Sequence, residues 1–66
     1  MVVSANGKPI EVPQDCTVQR LIEMLGLGSR WVVVERNGLP VARSDFDTVR
    51  LEPGDVLEVV RPVQGG

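Results

Sequence analysis

The two residues whose chemistry stands out are the last two, Gly65 and Gly66. A carboxylate is a poor electrophile, but it becomes reactive once ATP converts it into an acyl adenylate. Such a terminus has to enter a narrow channel in another protein, and two residues without Cβ atoms let the backbone approach closely. The pair predicts either a C-terminus that reacts in a partner's nucleotide pocket or a frayed end with no chemical role.

The residues before this pair are expected to supply its reach. Residues 62–66 have no pattern of regular structure and are predicted to form a flexible tail on a folded domain of residues 1–61. Five extended residues span at most about 17 Å, enough to place Gly66 in a deep pocket. Gly65 would then provide clearance, while Val63 and Gln64 would line the partner's channel.

The remaining chemistry-bearing residues favour structural interpretations. The chain has one cysteine, Cys16, and no histidine, so an internal disulfide is excluded and a zinc site is disfavoured. Cys16 precedes a predicted helix, where a reactive thiol is conceivable, but a buried, small apolar side chain is favoured. Asp45, Asp47 and Asp55 have no calcium-loop spacing and are expected in turns or caps. We predict no metal, no bound cofactor and no catalytic residue.

Composition limits the class of function further. The chain has 66 residues, seven basic against nine acidic, with one Trp and one Phe. That is one small domain without the positive, aromatic surface that nucleic acids require. No apolar stretch is long enough to span a membrane, and no basic start leads into an apolar block. We therefore expect a cytoplasmic protein that binds neither nucleic acid nor membrane and is not an enzyme.

Two Asn-Gly pairs organise the strands. Asn6-Gly7 and Asn37-Gly38 each lie between apolar runs, which is the strongest short-range signal for a β-hairpin. Pro9 cannot donate a hydrogen bond to a neighbouring strand, so the second strand is expected at an edge of the sheet. Trp31 opens a third strand and is interpreted as core filling in preference to a partner anchor.

One short helix lies between the hairpins. Thr17 is a good N-cap, and an apolar stripe at helical spacing follows from Val18 to Leu25. Gly26 is placed to end the helix in a left-handed conformation. A helix of this length does not persist alone, so it must pack on one face of the sheet.

The other face of the sheet is expected to stay open. In the last strand, Val56 to Val60, a solvent-facing Glu58 sends its two neighbours inward and leaves Val56 and Val60 on the open face. With Arg61, which follows directly, these two valines are predicted to form a surface on which a partner protein docks.

These features together resemble a known family. The early Asn6-Gly7, the helix TVQRLIEMLGL, the middle segment VVVERNGLPVARSDFDTVRL and the ending EPGDVLEVVRPVQGG resemble, nearly end to end, the bacterial sulfur carrier of thiazole (thiamine) biosynthesis, the ThiS family. The resemblance implies an α+β, ubiquitin-like β-grasp fold. Its mixed sheet would have four to five strands, with the first and last strands central and parallel and one helix packed on one face.

The resemblance also implies a chemistry. A ubiquitin-activating-enzyme-like adenylyltransferase would use ATP to adenylate Gly66. A cysteine desulfurase or another persulfide donor would convert this adenylate to a thiocarboxylate, and thiazole synthase would take up the sulfur. Four alternatives stay open: a ubiquitin-like modifier conjugated to lysines, a carrier like the small subunit of molybdopterin synthase, a carrier that feeds sulfur to cysteine or tRNA pathways, and a stand-alone interaction domain with idle terminal glycines.

Overall fold

A single mixed sheet carries the fold. The computed structural model describes residues 1–62, apart from the side chain of Ser29. In chain order its helix and strands are β1 (Val2–Ala5), β2 (Lys8–Glu11), α1 (Val18–Met24), β3 (Val33–Arg36), β4 (Leu39–Val41) and β5 (Val56–Val60). The strands lie in the order β2-β1-β5-β3-β4, with β1 and β5 parallel and the other pairs antiparallel. The predicted α+β class, the mixed sheet and the parallel pairing of the first and last strands are confirmed.

Both Asn-Gly pairs form the predicted hairpin turns. The φ angles are positive at Asn6 (54°), Gly7 (83°), Asn37 (53°) and Gly38 (85°), as a type I′ turn requires at both of its central residues. The strand that contains Pro9 lies at the edge of the sheet, as predicted. The two hairpins lie on either side of β5, which is the central strand.

The start of the helix is held by its own cap and by a distant loop. The Thr17 hydroxyl accepts a hydrogen bond from the Arg20 N–H at 3.1 Å, which confirms the predicted N-cap. The first two helical N–H groups donate to the carbonyl oxygens of Val49 and Phe46, at 3.1 and 2.8 Å. These bonds satisfy N–H groups that have no partner inside the helix.

The helix ends in a left-handed cap. Gly26 has a φ of 75°, and its N–H donates to the Glu23 carbonyl while the Leu27 N–H donates to that of Ile22, at 2.9 and 3.1 Å. This pair of bonds is a Schellman motif. The helix itself stops at Met24, one residue earlier than predicted, because the next residue already serves as the C-cap.

The core lies between the helix and one face of the sheet. The buried apolar residues are Val3, Ala5, Val12, Cys16, Val18, Leu21, Ile22, Val32, Val34, Phe46, Leu51, Leu57 and Val59. Phe46 and Leu51 come from the irregular segment before β5 and complete this core. All the apolar positions of β1, β3 and β5 that point toward the helix are buried, so the covered face is fully used.

Trp31 is not part of this core. It lies in a short 3-10 turn, Ser29–Trp31, and is 54% exposed, with the Arg30 guanidinium carbon 5.4 Å from its ring centroid. The prediction of core filling was therefore wrong. The physical reason is that the strand begins only at Val33, so Trp31 lies in the turn before it, while Val32 and Val34 supply the buried side chains of this segment.

The folded body reaches at least to the end of β5 at Val60. The predicted division into a domain of residues 1–61 and a tail of residues 62–66 stays a prediction, because residues 63–66 lie outside the part that the structure describes. Within residues 1–62, no helix is both long enough and apolar enough to cross a membrane.

Candidate functional site

The predicted docking valines lie on the open face of the sheet. In β5, exposed and buried residues alternate strictly, and Val56 and Val60 are 47% and 51% exposed. On the neighbouring strand Val33 is 50% exposed and is the direct partner of Val60. These valines form an apolar surface on the side of the sheet away from the helix.

Two acidic residues lie at the middle of this surface. Glu35 on β3 and Glu58 on β5 are direct partners in the antiparallel register, and both are exposed. Side chains at such positions have Cβ atoms about 5 Å apart, and two like charges there destabilise the sheet. Sequence reasoning placed Glu58 on the open face but missed Glu35, because its position depends on which strand lies beside β5.

The side chain of Asn6 holds the far end of β5. Its Oδ1 accepts a hydrogen bond from the Val59 N–H at 2.8 Å, and its Nδ2 donates to the Val59 carbonyl at 2.9 Å. The Asn6 N–H also donates to the Leu57 carbonyl at 2.9 Å. The turn residue thus extends the pairing of β1 with β5 after the chain of β1 has turned away.

The start of β5 is held in a similar way by the second turn. The Asn37 Oδ1 accepts from the Val56 N–H at 2.9 Å, and its Nδ2 donates to the Asp55 carboxylate at 3.1 Å. The two Asn side chains therefore hold residues near both ends of β5, the last strand before the C-terminal segment. This role was missed because the Asn-Gly signal predicts only the turn.

Asp55 is a charged residue that the fold buries, at 6% exposure. Its carboxylate accepts hydrogen bonds from the Glu52 N–H and from Arg36 Nε, both at 2.8 Å, and a third from Asn37. Burial acts to raise the pKa of Asp55, but these hydrogen bonds and the Arg36 charge outweigh it and hold the pKa below its ordinary value. Asp55 closes the turn before β5, which confirms the structural role expected for it.

Cys16 is also structural. Its side chain is 2% exposed, and Sγ donates to the Thr17 carbonyl at 3.4 Å. Burial raises the pKa of the thiol, against the opposing charges of Arg20 and the N-terminus. The thiol is therefore protonated at neutral pH and shielded from reagents, which confirms the interpretation as a small apolar core residue.

Four of the predicted site residues belong to the C-terminal segment. Gly66, Gly65, Gln64 and Val63 lie outside the described residues, and their roles stay predictions. Arg61 is exposed and follows the last residue of β5 directly. Among residues 1–62, no three His, Cys, Asp or Glu side chains lie close enough together to hold a metal ion.

The strand order and the single helix on one face together define the fold class of the protein. A mixed sheet in the order β2-β1-β5-β3-β4 with one helix on one face is the ubiquitin-like β-grasp architecture. The match to a family model then identifies the family. Residues 3–66 match the model of the ThiS family, and the chain belongs to that family.

Solved structures agree with this assignment. The crystal structure of a thiamine biosynthesis protein (ThiS) from Geobacter metallireducens superposes with a TM-score of 0.82 at 32% identity, and each chain is covered completely. A solution NMR structure of a thiamine biosynthesis protein from the same organism gives a TM-score of 0.82 at 30% identity, covering all of this chain and 88% of the other.

Longer proteins also contain a segment similar to this chain. A protein named thiazole synthase from Paramagnetospirillum magneticum is 38% identical over 66 residues, and one of the same name from Magnetococcus marinus is 35% identical over the same length. The chain spans only 20% of the length of each of them.

Proposed function

We propose that the protein carries sulfur as a thiocarboxylate on Gly66 and delivers it for thiazole formation. The observation that carries the proposal is the match to the ThiS family over residues 3–66, which includes Gly65 and Gly66. The open valine face and the strand that leads into the tail support it, because they suit a co-substrate that docks on other proteins. In this proposal the chemistry takes place in the partners' active sites, so the protein itself is not an enzyme.

The proposed reaction has three steps. The Gly66 carboxylate attacks the α-phosphate of ATP in an adenylyltransferase related to ubiquitin-activating enzymes, and pyrophosphate leaves. The terminal sulfur of a cysteine persulfide, carried by a desulfurase or another donor, attacks the acyl carbon, and AMP leaves. A thiol then reduces the resulting acyl disulfide, which releases the Gly66 thiocarboxylate and leaves a mixed disulfide on the donor.

Thiazole synthase is the proposed acceptor. Two proteins of that name contain a segment similar to this chain within one longer polypeptide. Joining two modules raises their effective concentration for one another, so the fusion supports a functional pairing of carrier and synthase. The same observation favours a carrier for the thiazole pathway over one like the small subunit of molybdopterin synthase.

Intact mass spectrometry tests the proposal directly. The protein, with Gly66 as its last residue, is incubated with the adenylyltransferase, MgATP and a persulfide donor. We expect a mass gain equal to the exchange of one oxygen for sulfur. A persulfide on Cys16 would add a whole sulfur atom, and Cys16→Ala should still give the exchange product, since the thiol is buried. Isopeptide adducts on other proteins would instead identify a lysine modifier.

A pair of glycine variants tests the need for a bare tail. Gly65→Val places a branched side chain beside the reacting residue and should abolish adenylation while the melting temperature stays unchanged. Gly28→Val is the matched control, because a Cβ there meets no atom within 4 Å and its φ is −83°. Full adenylation of Gly65→Val would show that the partner's channel tolerates side chains.

A further inference from the structure

The open face carries more acidic than basic charge, and among its described acidic strand residues Glu11 alone has a cation close by, the N-terminal ammonium at 3.8 Å. Ten strand residues point to this side, as the register shows: Val2, Ser4, Pro9, Glu11, Val33, Glu35, Pro40, Val56, Glu58 and Val60. Three of these are acidic, and none of the described residues at these positions is basic. The face is therefore apolar with a negative centre.

The centre of the face is the pair Glu35 and Glu58. The two residues are cross-strand partners, and neither forms an ion pair among residues 1–62. Their neighbours on the face are valines and Pro40, which is the β4 partner of Glu35. Two like charges at directly opposed positions oppose folding of the free protein. Because this pair of carboxylates lowers the stability of the free protein, we interpret it as a feature that serves the binding of a partner.

The negative charge at the centre of the open face indicates which kind of partner can bind there. A second copy of the chain would bring this acidic centre against an equal acidic centre, because a symmetric dimer pairs the same patch with itself. A partner with an arginine or lysine side chain among apolar groups would neutralise both carboxylates at once. Arg suits the site best, since its planar guanidinium can bind two carboxylates through separate N–H groups.

Resting on the proposed function, we propose that Glu35 and Glu58 form an acidic docking centre that binds a basic side chain of the adenylyltransferase. The surrounding valines, Val33, Val56 and Val60, exclude water from this contact and strengthen it. Neither carboxylate takes part in the chemistry at Gly66. The pair serves recognition, and its mutual repulsion in the free protein is relieved on binding.

The repulsion between the two carboxylates in the free protein and their contact with the partner predict opposite effects of one double substitution. Replacing both residues, Glu35→Gln and Glu58→Gln, removes the repulsion, so the melting temperature of the free protein should rise at low ionic strength, with a smaller rise at high salt. The same double variant loses the partner contact. The KM for the carrier in ATP–pyrophosphate exchange should rise about tenfold or more, while kcat at saturation stays unchanged.

Glu23→Gln is the control for each single substitution, because it removes one negative charge from the helix on the other side of the sheet and should leave KM unaltered. An unchanged KM in the double variant would overturn the docking centre. A melting temperature that falls together with activity would show a structural role instead. Sedimentation that reveals a dimer weakened by the substitutions would assign the face to a second copy, against the proposal. Absence of exchange with the wild-type protein would refute the proposed function itself.

Discussion

Replacing Asn6 with Gly separates the two roles that this residue has in the fold. Asn6 adopts a φ of 54° in the turn, and its side chain also makes two hydrogen bonds to the backbone of Val59. Glycine accepts a positive φ at least as readily as asparagine. The Asn6→Gly variant therefore keeps the turn and removes only the two side-chain hydrogen bonds.

The size of the effect follows from those bonds. Each contributes about 1 kcal/mol net, so their loss should lower the free energy of unfolding by about 2 kcal/mol. For a domain of this size, that corresponds to a fall of roughly 8–16 °C in melting temperature. If Asn6 served the turn alone, the change would not exceed the ~0.4–1 kcal/mol that the extra freedom of glycine costs in the unfolded chain.

Urea denaturation and amide hydrogen exchange together measure this effect. The urea midpoint should fall with an unchanged slope, and the Val59 amide should exchange faster. Asn37→Gly is the reciprocal control, because it frees the Val56 amide, whose acceptor is the Asn37 Oδ1, and leaves Val59 protected. A wild-type midpoint with a protected Val59 amide in Asn6→Gly would refute the reasoning.

Two further predictions concern the core and the buried carboxylate. Leu21→Ala, at a fully buried position, should lower the free energy of unfolding by about 2–5 kcal/mol in urea titrations. Met24→Ala, at an exposed position of the same helix, should lower it by less than about 1 kcal/mol. Equal effects of the two substitutions would contradict the assignment of the helix faces. Asp55 has a folded-state pKa below its ordinary value of 3.8, so its charge stabilises the fold fully above that value, and the contribution is lost as the pH falls through the folded-state pKa. Asp55→Asn should therefore be less stable than the wild type by about 1–3 kcal/mol at neutral pH, and this difference in stability should shrink toward zero in acid. A difference that does not vary with pH would show that the charge of Asp55 does not stabilise the fold.

Local signals in the sequence were sufficient for the elements of the fold. The Asn-Gly pairs require positive φ at adjacent positions, Thr17 caps the helix through its own hydroxyl, and Glu58 fixes the alternation of β5. Each of these signals acts within a few residues of chain. That is why the hairpins, the helix and the open-face positions of Val56 and Val60 could be predicted.

The contacts that assemble the site could not be predicted in this way. Asn6 and Val59 are 53 residues apart in sequence, and the facing of Glu35 and Glu58 depends on the register between two strands that are not consecutive. Trp31 shows the same limit at shorter range. It was expected to open β3, but the strand begins only at Val33, and Trp31 lies exposed in the 3-10 turn before it. The apolar run of the sequence does not show where the turn ends and the strand begins.

These long-range contacts all converge on β5. It is paired along one edge with β1 and along the other with β3, and the side chains of Asn6 and Asn37 hold residues near its two ends. Val60, its last residue, belongs to the proposed docking surface, and Gly66 follows only six residues later. Six extended residues reach at most about 20 Å. If Gly66 reacts as proposed, the partner's nucleotide pocket must lie within that distance of the partner surface that contacts the valines. The position of β5 therefore determines where the reactive carbonyl of Gly66 can reach.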